Sequence, residues 1–345
     1  MKTTPVSTMG LINASREMRT NLQFKIAEGQ KEANTGRYAD VGLSIGYLTE
    51  RTLSLRHDLD RLQTFKDTNA VAASRLELTQ TQLDGMAASA QEFLTTLMAA
   101  RASPSSSGVA VSDAKSKLVA LTASLNTAVN GAYLFAGVNT DVKPLTDYYA
   151  TPPSAAQTAV STAFTTAFPG PVEDISAADM EAFLDGPFST LFDNANWTAN
   201  WSQASDQDIT SRISTNERIA TSTNANEEPF RLLASVYTMV ADLPVDQLSE
   251  GAYLALIDKA MALVGQASNT GLTDLRATLG TSQGRINAAN ERIDVQKGLL
   301  NEHVVALEGV DPYEAQVKVN ALLTQLETAY ALTARLQNLS LLKYI

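Results

Sequence analysis

Apolar residues return every seven positions from Leu48 to Leu97, in a column that reads Leu48, Leu55, Leu62, Asn69, Leu76, Leu83, Ala90 and Leu97. A second column three residues on reads Phe65, Ala72, Thr79, Met86, Phe93 and Ala100. No proline interrupts the stretch, and Gly85 is its only glycine after Gly46. A seven-residue repeat keeps one seam on the same side of slightly underwound helices, so the segment predicts a long coiled-coil helix. Asn69 is the polar member of the main column, and reads either as a register-setting position or as a local solvated defect.

The pattern recurs near the C-terminus as Leu272, Leu279, Ile286, Ile293, Leu300 and Leu307. It breaks at Gly309-Val310-Asp311-Pro312 and restarts at once with a capping Asp, Pro at the first helical position and Glu314 in the first turn. The new helix carries Val319, Leu322, Leu326, Ala329 and Leu336 along one side, with Thr333 in the seam, and runs on to Leu339, Leu341, Leu342, Tyr344 and Ile345. An apolar tip is unusual for a terminus, which is normally frayed and polar, and predicts burial against another molecule. At the other end Leu11, Met18, Leu22 and Ile26 share the face of a weaker amphipathic helix that stops at Thr35-Gly36. A glycine-containing connector over 37–47 follows.

Residues 113–129 predict a further helix after the turn at 103–108, and Asn130-Gly131 breaks it and opens a short β-prone run, Tyr133 to Gly137. Residues 140–215 hold no heptads. Val160 to Phe168 reads as a strand or a short helix, because a short apolar run does not distinguish them. Helical patterning resumes near 216. The fold class expected is mainly α: a long helical bundle made by the N- and C-terminal segments, with an inserted mixed α/β or β-rich domain. The boundaries expected are terminal helices at 1–45 and 308–345, a bundle core at 46–140 and 216–307, and an insert at 141–215. The terminal helices are expected to be disordered in the monomer, because helices of marginal amphipathicity need partners.

Charge supports that division. The 345-residue chain has 26 Lys and Arg against 37 Asp and Glu, a net charge of −11. Ten of those acids but only Lys143 among the bases fall between Asp141 and Ser211. Such a segment repels its copies and is expected at the surface. The acidic balance argues against a nucleic-acid partner, which requires a basic stripe. No apolar run is long enough for a membrane helix, so no membrane partner is expected. Met1 to Pro5 leads into polar sequence without an apolar core, so no cleaved secretory signal is expected.

Chemistry-bearing residues are sparse. The chain has no cysteine and two histidines. That excludes disulfides, thiolate metal sites and a Cys nucleophile. His57 falls on a solvated side of the first coil, and His303 reads as a partly buried structural residue near the second seam. Val304 and Val305 rule out a zinc HExxH motif after His303. Gly42 and Gly46 lack the lysine of a phosphate loop, and no G-x-S-x-G elbow occurs. The central acids lack calcium-loop spacing. Asn196-Trp197-Thr198 and Asn200-Trp201-Ser202 match the glycosylation acceptor pattern. No catalytic, cofactor-binding or metal residue is therefore assigned.

Three motifs carry a resemblance. Asn130-Gly131-Ala132-Tyr133-Leu134-Phe135-Ala136-Gly137 resembles the NGxYLFAG turn of the flagellin superfamily, and within it of the hook-associated protein type 3 family at the hook–filament junction. Leu339 to Ile345 is similar to that family's LSLLxYL ending, and Asn34-Thr35-Gly36-Arg37 resembles its TGxR. After Arg37 the chain departs from the family's Ser-Asp-Asp-Pro stretch and reads Tyr38-Ala39-Asp40-Val41-Gly42. The resemblance spans about 1–140 and 270–345. It implies a flagellin-like fold and a non-enzymatic adapter between hook and filament, with a filament flagellin as the alternative and an enzyme in the insert as a remote one. It also implies export, unfolded, through the flagellar type III apparatus to an extracellular flagellum. Implied partners are further copies of the chain, hook-associated protein type 1 on the hook side, flagellin on the filament side and an export chaperone. The implied assembly interface is Leu11, Met18, Leu22, Ile26, Leu322, Leu326, Leu336, Leu339, Leu341, Leu342, Tyr344 and Ile345 in an axial inner layer. No cofactor is implied.

Overall fold

The computed structural model describes residues 8–341. The chain divides into two compact units, one built from 1–64 with 292–345 and the other from 65–291. Two long helices, α3 (Thr49–Ala102) and α10 (Leu272–Glu308), contribute residues to both.

In the first unit α1 (Thr8–Thr35) packs along α11 (Pro312–Leu341). Gly36, at a φ of 66°, ends α1 in the left-handed conformation that glycine reaches without a Cβ clash. A short helix α2 (Val41–Ile45) follows, and the Asp40 carboxylate caps it by accepting from the Leu43 N–H at 2.9 Å. The 37–47 connector is thus partly helical. Pro312 begins α11, and Asp311 accepts from the Tyr313 N–H at 2.8 Å.

The second unit has one continuous core. The heptad columns are its spine: Leu76, Leu83, Ala90 and Leu97 are completely buried, as are Phe93 and Thr79 of the second column. In the C-terminal column, Leu272, Leu279 and Ile286 are buried likewise. Asn69 faces Asn290, Asp84 faces Arg276, and Gln91 faces Ser268 and Asn269. Each step up α3 is therefore matched by one step down α10, an antiparallel register held over six turns. Between them in the chain lie α4 (Ser107–Leu125) and the two-strand hairpin β1 (Ala128–Val129) and β2 (Ala132–Tyr133). Asn130 and Gly131, with φ of 52° and 81°, form its tight turn, since both central positions of such a turn need positive φ.

Next come α5 (Ala155–Ala167), α6 (Ala177–Phe183) and α7 (Asn194–Asn200), then the hairpin β3 (Thr210–Ser214) and β4 (Glu217–Ala220), α8 (Glu228–Asp242) and α9 (Glu250–Gly265). α8 is buried almost all round, between α4 and α9. The ambiguous run at 160–168 is helix. Ser154 caps it, accepting from Gln157 N–H, and Ala156, Val160 and Phe164 fall on one face at i, i+4 spacing.

Several expectations change. Helix does not resume near 216, where β3 and β4 pair around a bulge at Arg212 and Ser214. α4 begins at Ser107, six residues before the expected start. His303 is exposed rather than partly buried, on the outside of α10. Most important, no boundary separates 141–215 from its flanks. Leu145, Tyr148, Val160, Met180, Phe183 and Trp197 belong to the same core as Phe93 and Tyr237. The aromatics of this segment form a chain of ring contacts, Phe164–Phe183–Phe188–Phe192–Trp197–Trp201–Tyr148, with consecutive centroids 5.0 to 6.5 Å apart. Of the ten acids in this segment, every one but Asp208 is exposed.

Candidate assembly surfaces

The terminal pair is the first surface. α1 buries Leu22 and Ile26. A Cβ on Gly29 would lie 2.7 Å from Val319 Cγ2, so glycine there lets the two helices approach. α11 answers with buried Ala315, Val319 and Thr333, while Leu322 and Leu326 are half-buried. Gln23 Nε2 donates to the Tyr330 hydroxyl at 3.1 Å, and the Arg19 guanidinium lies 5.4 Å from that ring's centre. Met18 is 55% exposed, so the predicted face is only partly used within the chain. Phe24 of α1 and Val317 and Leu332 of α11 are exposed apolar side chains outside this seam. The side chains of Leu11, Leu336, Leu339 and Leu341, and all of Leu342, Tyr344 and Ile345, lie outside the described residues.

At the base of this pair the motif Thr35-Gly36-Arg37 meets the turn between α10 and α11. Tyr38 N–H donates to Glu308 O at 3.1 Å, and Val310 N–H to Gly36 O at 2.9 Å. The Glu308 side chain is buried yet charged, with Arg37 on one carboxylate oxygen and Arg56 bridging both. The hydrogen bonds and charge of Arg56 and the charge of Arg37 hold its carboxyl below the usual glutamate range against the cost of burial.

The motif Asn130 to Gly137 is the second conspicuous element, and the structure gives it a structural job. Asn130 and Gly131 make the turn, Tyr133 is half-buried, and Leu134, Phe135 and Ala136 are in the core. Arg75 Nη2 donates to the Tyr133 and Leu134 carbonyls at 2.7 and 3.1 Å, and its burial lowers the guanidinium's proton affinity. Downstream, Ala225 N–H donates to Phe135 O and Ser205 N–H to Ala136 O. Gly137, at a φ of 62°, has no room for a Cβ, which would lie 2.6 Å from Gln207 O. The motif thus ties α3, the acidic segment and the approach to α8 together. Arg75 was not singled out from the sequence, since an arginine beside a heptad seam looks like a solvated flank.

Asn69 is 1% exposed, and its Nδ2 donates to Ile213 O at 3.0 Å and to Asn290 Oδ1 at 2.8 Å. It is not a solvated defect. Its partner strand was invisible to periodicity.

No cluster of three or more His, Asp or Glu side chains among the described residues is arranged to hold a metal. No helix among them is long and apolar enough to cross a membrane. Outside the ion pairs, desolvation is the leading cause of the shifts that raise tyrosines and carboxylates. Tyr148 and Tyr237 are raised by desolvation, Tyr149 is pushed up to about 12, and Asp208 and Glu227 are raised by burial. A cleft of about 450 Å³ beside Tyr149 is also lined by Asn126, paired with the Leu145 backbone, and by Lys143, paired with Asp147. Asn196, in the first glycosylation-like triplet, donates to Thr190 O at 2.7 Å.

Comparison with known proteins accords with this picture. A search of curated proteins returns no match. Among solved structures, a Vibrio parahaemolyticus protein assigned as a flagellar hook-associated protein aligns at 11% identity over 77% of this chain and 96% of its own, with a TM-score of 0.45. FlgL of Bacillus cereus aligns at 12% identity over 75% and 99%, with a TM-score of 0.43. The family of the bacterial flagellin N-terminal helical region matches residues 6–140, and that of the flagellin C-terminal helical region matches residues 261–345. These two matches cover more than half of the chain and take in both partners of the terminal helix pair and of the α3–α10 pair, so the chain belongs to the bacterial flagellin family, whose members are structural proteins of the flagellum.

Proposed function

We propose that this chain is the junction subunit between hook and filament, an extracellular adapter without catalytic activity. The observation that supports the reading is the terminal pair: one thin apolar seam is closed inside the chain, while apolar side chains on the outer faces, Phe24 of α1 and Val317 and Leu332 of α11, have no cover. A seam of so few buried residues leaves a two-helix pair marginal in water. Neighbouring copies would bury these outer apolar residues, so the terminal helices would form an axial layer and fray in the isolated subunit. The Asn130–Gly137 turn and the Leu339–Ile345 ending, which resemble the hook-associated protein type 3 family, favour the junction over the bulk filament. In that role the subunit contacts hook-associated protein type 1 below and flagellin above, after type III export with a chaperone. The exposed acids of 141–215 would face water, away from the shared axis, because like charges from many subunits repel.

Immunogold labelling of flagella with antibody to residues 141–215 tests the assignment. A narrow band of gold where the hook ends supports it. Gold along the whole filament would instead make this a filament flagellin.

A further inference from the structure

The hairpin of β3 and β4 carries a pairing that works against its own fold. Arg212 stands directly opposite Arg218 in the register of the two strands, and like charges facing each other across an antiparallel pair are destabilising. Both arginines are exposed. Arg212 is held in place: its Nε donates to Ser214 O at 3.2 Å, its Nη2 donates to Thr215 O, and its guanidinium lies 5.9 Å from the centre of the Phe65 ring. None of those contacts brings a carboxylate. Arg218 has no side-chain hydrogen bond or ion pair among the described residues. The one acid on the hairpin, Glu217, is held by Arg285 at 3.0 Å. The hairpin itself is fixed, because Ile213 and Ile219 are buried and Asn69 donates to the Ile213 carbonyl. Two exposed guanidiniums without a counter-charge are thus presented rigidly by a chain whose net charge is −11.

The opposite charge lies on the same unit. From Glu173 to Asp185 there are five acids and no base. All five are exposed, and among the described residues only Asp185 has an ion pair, with Lys259. Two of the others, Asp174 and Asp179, line an open groove of about 680 Å³ together with Phe168, Pro171, Phe183 and Pro187. Such a groove suits arginine, whose methylene stem packs on apolar surface while its head meets a carboxylate. We propose that the β3–β4 hairpin of one copy of this chain docks in the 167–187 groove of the next copy, with Arg212 and Arg218 over Asp174 and Asp179. The contact is head-to-tail, so each copy provides one hairpin and one groove, and a closed ring occupies them all. It offsets the repulsion between the acidic segments of neighbours. Acids turned away from a shared axis can still meet the flank of the next copy. A single exposed ion pair is weak, so the contact acts in the assembly, where the terminal helices already hold the copies together. The docking rests on the assembly reading above only in that copies stand side by side, and not on where in the flagellum they stand.

Cross-linking in flagella tests the docking, because the chain has no cysteine of its own. Flagella assembled from a mixture of Arg218→Cys and Asp174→Cys copies, treated with a short bismaleimide, should yield a covalent dimer of the chain. Flagella built from either variant alone should yield none. A mixture that assembles yet stays monomeric would overturn the proposal. Charge exchange is the second measurement. Arg218→Glu removes the like-charge pair, so the isolated subunit should melt no lower than the native chain. The fraction of the chain retained in flagella rather than shed should fall by about two- to fivefold, the range of an exposed ion pair. Adding Asp174→Arg to the same chain should restore it. A lower melt for Arg218→Glu would mean that the arginine pair serves folding, and would overturn the docking, as would a double variant that restores nothing. Gold confined to the end of the hook with no dimer would remove the contact and leave the junction assignment standing. A dimer in flagella labelled along their whole length would do the reverse.

Discussion

Gly137 shows how one residue carries the Asn130–Gly137 motif. Its φ of 62° and its closeness to the Gln207 carbonyl leave no place for a side chain. Gly137→Ala should destabilise the second unit by about 1–3 kcal/mol in urea melts followed by tryptophan fluorescence, and an unchanged midpoint would contradict this packing. Asn69 makes a sharper test. Its amide donates to two acceptors, the Ile213 carbonyl and Asn290 Oδ1. In Asn69→Asp a carboxylate would face those oxygens with no donor to offer, at a cost of about 3 kcal/mol at neutral pH. Burial should raise that carboxyl's pKa, so the loss should shrink on acidification as the protonated group becomes a donor. Stability equal to the native protein at neutral pH would mean that Asn69 is not held as described. Asn69 was visible in the sequence as the polar member of its column, but its partners were not. One lies 221 residues away on α10 and the other is a backbone oxygen of β3, neither of which leaves a trace in local pattern.

Elements were legible in proportion to their periodicity. α1, α3, α10 and α11 follow from heptads, the Thr35-Gly36 stop and the Asp311-Pro312 start. α5 to α7 were not legible, because Ala, Thr and Ser between isolated aromatics give no strong moment, and what decides their conformation is the core the aromatics enter. The acidic surface drew attention to a separable insert. The same segment's Phe and Trp residues, which have no spacing rule, join it to the core. Trp197 is completely buried, and its Nε1 donates to the Ala225 carbonyl at 3.2 Å. Trp197→Ala should cost about 3–5 kcal/mol, measured as a shift of the cooperative melt of the whole second unit rather than of a separate transition. Two resolved transitions, with only the smaller one moved, would restore the picture of an independent insert.

At the scale of the whole molecule, the exposed apolar residues on the outer faces of the terminal pair are the feature that a free subunit does not explain. Substitution there and in the closed seam should separate folding from assembly. Val317→Asp, on the outer face of α11, should leave the subunit's stability within about 0.5 kcal/mol while reducing the filaments retained per hook. Leu22→Ala, in the closed seam, should lower hydrogen-exchange protection of α1 and α11 in the assembled flagellum, where the pair is ordered, and leave the melt of the second unit unchanged. Flagellar membership rests on the two family matches at the ends. The junction role is the central claim, and electron microscopy of cells lacking this chain tests it most directly. The account predicts intact hooks without filaments, with filament protein shed into the medium, and restoration by the native chain. Cells that keep full-length filaments on their hooks would contradict it.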